Sequence, residues 1–321
     1  MRLAPALSRF VGGREFVRRG TVWRLRFPRP PVDRFEYQLE LERRNGSREL
    51  VLDPTNPLRA PGPFGEKSVV EFPGYRPPAW LESTAKTGSL ERILLPSRRL
   101  RARVRAALWV AAGAEPGEPL PLLVVHDGSE TVELTSLLRF LDVLAASGLG
   151  PFRALLLDPV ERDRDYSASA LYARALERDL LPPVERLAPA STRAGMGASL
   201  GALALLHAHL RHPRLFGGLF LQSGSFFRGR TDPQESGFPH FSRITRFVGS
   251  VLRDAGPQHI PVTVTCGLAE ENLTNNRAVA AALAGQGYDV RFGELRDAHT
   301  WTGWRDGFDP WLADLLERAW R

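Results

Sequence analysis

The chain has 321 residues, enough for two domains, and 43% of them are hydrophobic, enough for buried cores. No apolar run approaches the roughly 18 residues of a membrane span, and the opening stretch 1–20 is broken by Pro5, Arg9, Gly12 and Gly13, so no secretory signal is expected. The net charge of +7 rests on arginine, with lysine only at Lys67 and Lys86; the arginines are interspersed with acids instead of forming the basic face that nucleic acid requires.

From residue 21 to about 72, short extended segments alternate with turn chemistry. Residues 21–27 and 35–41 alternate apolar and polar side chains at period two, the pattern of half-buried strands. Asn45-Gly46 is a hairpin signal before a returning strand over 48–52. Pro54 and Pro57 end the pattern, because proline cannot donate into a sheet ladder, and 67–72 reads as one further strand. The prediction is a small all-β, immunoglobulin-like sandwich, with a linker over 73–78 and 82–89. The expected division is 1–89 and 90–321.

Beyond residue 90 the pattern alternates strands with helices. Residues 103–110 and the apolar run 120–125 are strand candidates, the second of the kind buried in parallel sheets, and it ends in His126-Asp127-Gly128. A helix over 135–146, a strand over 154–158 and an amphipathic helix over 166–181, stopping before Pro182-Pro183, come next. Strands over 192–196, 218–221, 261–266 and 290–295, with helices over 202–210, 275–284 and 304–320, complete the series. A right-handed parallel α/β sheet is predicted, with functional residues at the carboxyl ends of its strands. The one cysteine, Cys266, excludes an internal disulfide and fits a reducing compartment, so the cytoplasm is the expected location.

Gly197-Ala198-Ser199-Leu200-Gly201 joins the strand 192–196 to the helix 202–210. A serine on so tight a turn is held in strained backbone geometry with its hydroxyl exposed, and side chains at the glycines would clash. The first N–H groups of the helix point at the same spot, making Leu200 one oxyanion donor; the second is expected from Asp127 or Gly128.

Such a hydroxyl needs a base, and the base an orienting acid. Only His299 lies in a loop after the final strand. His207 and His209 share a helix at a spacing that faces them apart, and His212 ends that helix. His240 sits in a Pro/Gly-rich insertion, and His259 precedes a strand. His126 and Asp127 lack further ligands at metal-binding spacing, so no metal is expected. The acid belongs after strand 261–266, where Glu270 and Glu271 are neighbours that point apart; Glu270 is preferred and Glu271 stays open. Asp289 begins a strand, at the wrong end of the sheet, and Asp297 is the other acid near the histidine. Arg162, Arg228 and Arg230, near strand ends, and Trp304 are the candidates for contacting substrate.

These stretches together resemble the enterochelin (ferric enterobactin) esterase-like family of α/β-hydrolases. The matching residues are 122–128 ending in His126-Asp127-Gly128, Asp165-Tyr166-Ser167, Met196 with the serine motif, 221–226, Gly267-Leu268-Ala269-Glu270, and His299 followed by Trp304-Arg305. An amino-terminal immunoglobulin-like domain fits as well, so the similarity covers nearly the whole chain. It implies an α/β-hydrolase fold, Ser199 and His299 as nucleophile and base, and no metal or organic cofactor. The chain departs from the family where Asp297-Ala298 replace Gly-Gly before the histidine, Thr300 replaces the Asp after it, and Ala202 replaces a second glycine after Gly201.

The expected activity is that of a serine esterase acting through an acyl-enzyme on a small-molecule carboxylic ester, an iron-siderophore lactone among the substrate classes. The net positive charge would attract an anionic chelate. Acyl transfer to an alcohol uses the same residues. A catalytically idle hydrolase body serving a binding module is a third reading, against which the intact serine, glutamate and histidine count. The amino-terminal module could cover the site, shape access or join a homodimer.

Overall fold

The computed structural model describes residues 1–7, 12–254, 256 and 260–321; Arg9 and His259 lie outside them. The amino-terminal region is all-β. Its longest strand, Arg34–Glu42, pairs antiparallel with Arg2–Pro5, Arg48–Val51 and Lys67–Glu71, and Arg59–Ala60 extends the sheet. Asn45 and Gly46, the latter at φ +81°, turn the hairpin between Arg34–Glu42 and Arg48–Val51. Val17–Arg19 and Val22–Arg24 form a separate two-stranded ribbon in solvent, with Val22 50% and Trp23 45% exposed. The strand expected over 21–27 is thus present only over Val22–Arg24 and is exposed, because period-two alternation gives a strand two faces but not a partner for either. Between the stretches 73–78 and 82–89 expected as a linker, Trp80, in the short helix Ala79–Glu82, is buried edge-on against Phe140 at 5.2 Å and stacked on Phe308 at 6.2 Å.

The second region is an eight-stranded sheet: β1 (Ser89–Ser97), β2 (Ala102–Val110), β3 (Leu120–His126), β4 (Arg153–Leu157), β5 (Ala190–Ala198), β6 (Gly218–Gln222), β7 (Pro261–Gly267) and β8 (Asp289–Leu295), in the order 1-2-4-3-5-6-7-8. Strands β3 to β8 are parallel, whereas β2 runs against both its neighbours. The turn between β1 and β2 is too short for a crossover, so the sheet is mixed where a wholly parallel one was expected.

Helices used below are α1 (Gly128–Thr135), α2 (Arg162–Tyr166), α3 (Leu200–Arg211), α4 (Phe241–Arg253), α5 (Leu273–Gly285), α6 (Trp301–Asp306) and α7 (Ala313–Trp320). They cover both sheet faces, so β3 is apolar on both. Leu122 and Val124 join the core with α3, α4 and α5; Leu123 and Val125 join the one with α7. The helix expected to stop at Pro182-Pro183 instead continues through Leu181–Leu187, because prolines in a first turn forgo N–H groups that have no intrahelical acceptor. The helix expected over 304–320 is interrupted between α6 and α7, where Pro310 lies.

Candidate active site

Strand β5 delivers Ser199 at φ 56°, ψ −120°, an uncommon conformation for a residue with a side chain. The turn closes so tightly that a Cβ on Gly197 would lie 2.7 Å from the Gly201 carbonyl carbon, and one on Gly201 would lie 3.2 Å from His126 Cβ. The Ser199 N–H donates to Gln222 O at 2.8 Å and its carbonyl accepts from Ser225 N–H at 3.1 Å, pinning the turn to the end of β6. Its hydroxyl lies 3.0 Å from Ser225 Oγ. Leu200 is the first residue of α3, where N–H groups lack intrahelical acceptors.

The loop after β8 brings His299 to the same place, and the loop after β7 brings Glu270. His299 Nδ1 is 2.8 Å from Glu270 Oε2. Glu270 Oε1 accepts from Ser223 Oγ at 2.6 Å and Gly267 N–H at 2.7 Å. The glutamate is buried while the His299 side chain is 38% exposed. Burial pushes the Glu270 carboxyl up, but His299, Ser223 and Gly267 outweigh it and hold it below the usual range. Trp304 donates from Nε1 to Ser223 Oγ at 3.0 Å and sets its ring edge-on to His299 at 4.9 Å. It is a buried wall behind the histidine.

Ser199, Glu270 and His299 all line one cavity of about 210 Å³, together with Ser225, Asp232, Glu235 and Glu271. The lining is acidic, opposite in sign to the whole chain. Burial and the neighbouring Glu271 carboxyl push Glu235 up. Arg162 and Arg228 are not among the lining residues. Arg162 instead makes a bidentate pair with Asp127, at 2.9 and 2.8 Å, and the Arg228 N–H donates to Asp232 at 2.6 Å. The loop carrying Asp127 and Gly128 packs beside Gly201, with the Asp127 N–H 3.4 Å from Tyr166 OH. His126 is buried with both ring nitrogens engaged, by Gly201 O at 3.1 Å and Tyr172 OH at 2.9 Å. A larger hollow of about 440 Å³ lies away from these groups; its His212 and Arg193 are paired with Glu177 and Glu185.

Residues 104–315 match the model of the Putative esterase family. The chain belongs to this esterase family. An iron(III) enterobactin esterase of Escherichia coli O6:H1 strain CFT073 is 27% identical over 312 residues, spanning 91% of this chain and 73% of that relative. Among solved structures, the enterobactin esterase of Shigella flexneri crystallised in the presence of enterobactin has the same fold, with a TM-score of 0.78 at 22% identity over 99% of this chain and 87% of that one. A ferulic acid esterase matches with a TM-score of 0.59 at 15% identity, covering 73% of this chain and 99% of its own.

Further side chains, with no role assigned from the sequence, hold the loops of this esterase's candidate site together. Ser225 partners the Ser199 hydroxyl, and Ser223 props Glu270. Asn272 Nδ2 donates to Ser223 O at 3.0 Å, and the Gly224 N–H donates to Asn276 Oδ1 at 2.9 Å, fixing the loop after β6. The run Gln222-Ser223-Gly224-Ser225 at a strand's carboxyl end was the available signal. Across the two sheets, the Arg34 Nη1 of the amino-terminal region lies 3.4 Å from Asp297 Oδ2, two residues before His299.

Proposed function

We propose that this esterase hydrolyses carboxylic esters through an acyl-enzyme on Ser199, with His299 as base and Glu270 as its orienting acid. The observation that carries the reading is the 2.8 Å hydrogen bond between His299 and a buried glutamate at the cavity that Ser199 lines. With Glu270 ionised, Nδ1 is the donor and Nε2 keeps the lone pair that accepts a proton. The Ser199 hydroxyl turns from Ser225 toward His299 and attacks the acyl carbon, its proton passing to Nε2. The oxyanion forms at the Leu200 N–H and the loop Asp127-Gly128; because the Asp127 N–H already faces Tyr166 OH, Gly128 is the better second donor. His299 then protonates the leaving alcohol, and water repeats the attack on the acyl-enzyme.

An iron-siderophore lactone is the substrate class that the enterobactin-cleaving relatives support. The acidic lining fits it in one way only: the anionic chelate stays outside and the neutral ester linkage enters. We assign residues 1–89 to an all-β module of the immunoglobulin-like class and 90–321 to an α/β-hydrolase domain. The antiparallel hairpins and the ferulic acid esterase match, which takes nearly all of that enzyme but part of this chain, support the division. That Cys266 is the one cysteine in the sequence supports the expected cytoplasmic location. The exposure of His299 favours water over an alcohol as acyl acceptor.

The test compares Ser199→Ala with wild type on p-nitrophenyl esters and on a ferric catecholate trilactone. Ser199→Ala should lose about 10³-fold or more in kcat, and a fluorophosphonate probe should label the wild type alone. Equal rates for the two proteins sink the reading.

A further inference from the structure

The residues next to both the proposed acid and the proposed base are buried under the amino-terminal sheet. Ala269 and Ala298 share a core with Leu3, Val32, Phe35 and Leu39. At the edge of that core the Arg34 guanidinium, 3% exposed, bonds Glu36 at 3.3 Å and Asp297 at 3.4 Å. Asp297 Oδ1 accepts from the Ala298 N–H at 2.7 Å and from Thr300 Oγ1 at 3.3 Å. Thr300 in turn caps α6, accepting from the Gly303 N–H at 3.0 Å. The Asp297 carbonyl accepts from Ala269 N–H at 3.2 Å, next to Glu270. There is no slack around this aspartate: a Cβ on Gly267 would lie 2.5 Å from its carbonyl oxygen, and one on Gly303 would lie 3.0 Å from its Cγ. A second tie runs alongside, from Arg296 to Asp33 through a side-chain pair at 2.9 Å and a backbone bond at 2.8 Å.

We infer that Arg34 is a positioning residue for the reaction: through Asp297 it fixes the turn 297–300 that aims His299, making the amino-terminal sheet part of the catalytic apparatus. The inference rests on His299 being the base. The turn itself has no regular secondary structure between β8 and α6, so its shape depends on what Asp297 binds. A buried carboxylate holds two N–H or O–H donors well only while a cation balances it. Without Arg34, burial pushes Asp297 further up so that it stays protonated, or it swings toward water, and the imidazole two residues on moves with it. Displacements near 1 Å at a reacting group cost about 10²-fold in rate.

The experiment uses the full chain and three variants: Arg34→Met, Arg34→Lys and Arg34→Met/Asp297→Asn. Arg34→Met should lower kcat for a p-nitrophenyl ester about 10–100-fold while KM stays within about twofold. Arg34→Lys should recover part of kcat, and so should the double variant, because its neutral amide still accepts from Ala298 N–H and leaves no unpaired charge at position 297, while Glu36 keeps Lys67 at 3.5 Å. Thermal melting monitors folding. Should Arg34→Met not fold, the double variant carries the test, with kcat lowered and KM held. The inference is overturned if a folded Arg34→Met keeps kcat within about twofold of wild type, if the double variant does so where Arg34→Met does not fold, or if KM rises in step with any loss of kcat. Wild-type turnover by Ser199→Ala would instead remove the catalytic reading on which the inference stands.

Discussion

Glu270 gathers three hydrogen bonds on two oxygens inside the protein, whereas Glu271, its neighbour, faces the cavity near Glu235. That difference in surroundings favours Glu270 as the orienting acid of the proposed mechanism. Glu270→Gln should lower kcat about 10²–10⁴-fold by presenting an amide to His299 and disturbing its tautomer, whereas Glu271→Gln should cost less than about tenfold. Steady-state kinetics on both variants check this, and a larger loss at Glu271 would reverse the assignment. Ser199, Glu270 and His299 could be picked out in the sequence because strand order and loop position carry them. Ser225, Ser223 and Arg34 could not. Their bonds span 26, 47 and 263 positions, and contacts between remote side chains leave no periodic trace.

At the level of elements, the strand–turn–helix around Ser199 is held by backbone contact more than by side chains. Adding one methyl at Gly197 would press on the Gly201 carbonyl carbon and the Ala202 nitrogen, which cannot rotate away. Gly197→Ala should therefore destabilise the protein by about 1–3 kcal/mol and lose activity beyond what the unfolded fraction explains. Melting curves and specific activity on the same sample test it, and an unchanged Tm with full activity refutes it. Strands were easier to read than helix ends. The apolar run of β3 needs no partner to be recognised, but β1 was missed because its side chains are mostly exposed. Helix α4 was missed inside a supposed insertion, although Ile244, Val248 and Val251 fall at helical spacing and are buried.

For the molecule as a whole, sensitivity to acid follows from histidines kept neutral. Burial pushes His126 down to about 3, and His207 and His209 down to about 4. The unfolded chain protonates these rings near pH 6.5, so below that pH it binds up to three more protons than the native state, and stability falls as pH falls. Burial acts oppositely on Asp297, pushing it up to about 7 against the pull of Arg34. Its native form takes up a proton first, which offsets one histidine. Near pH 5 the three histidines outweigh it, so the unfolded chain still binds more protons and stability falls by on the order of a few kcal/mol per pH unit. The Tm should drop steeply between pH 6.5 and 4.5; a flat or rising profile contradicts the balance.

The ring of carboxylates around the cavity bears on what leaves it. Cleavage of an ester turns an uncharged group into an anion among Asp232, Glu235, Glu270 and Glu271. Each like charge at close range costs the acid on the order of 1 kcal/mol even in a wet environment, so the carboxylates favour release of an acid product. Inhibition by free acetate or butyrate should accordingly be weak in wild type and several-fold tighter in Glu235→Gln. Equal inhibition constants would mean that departure is governed by something other than charge.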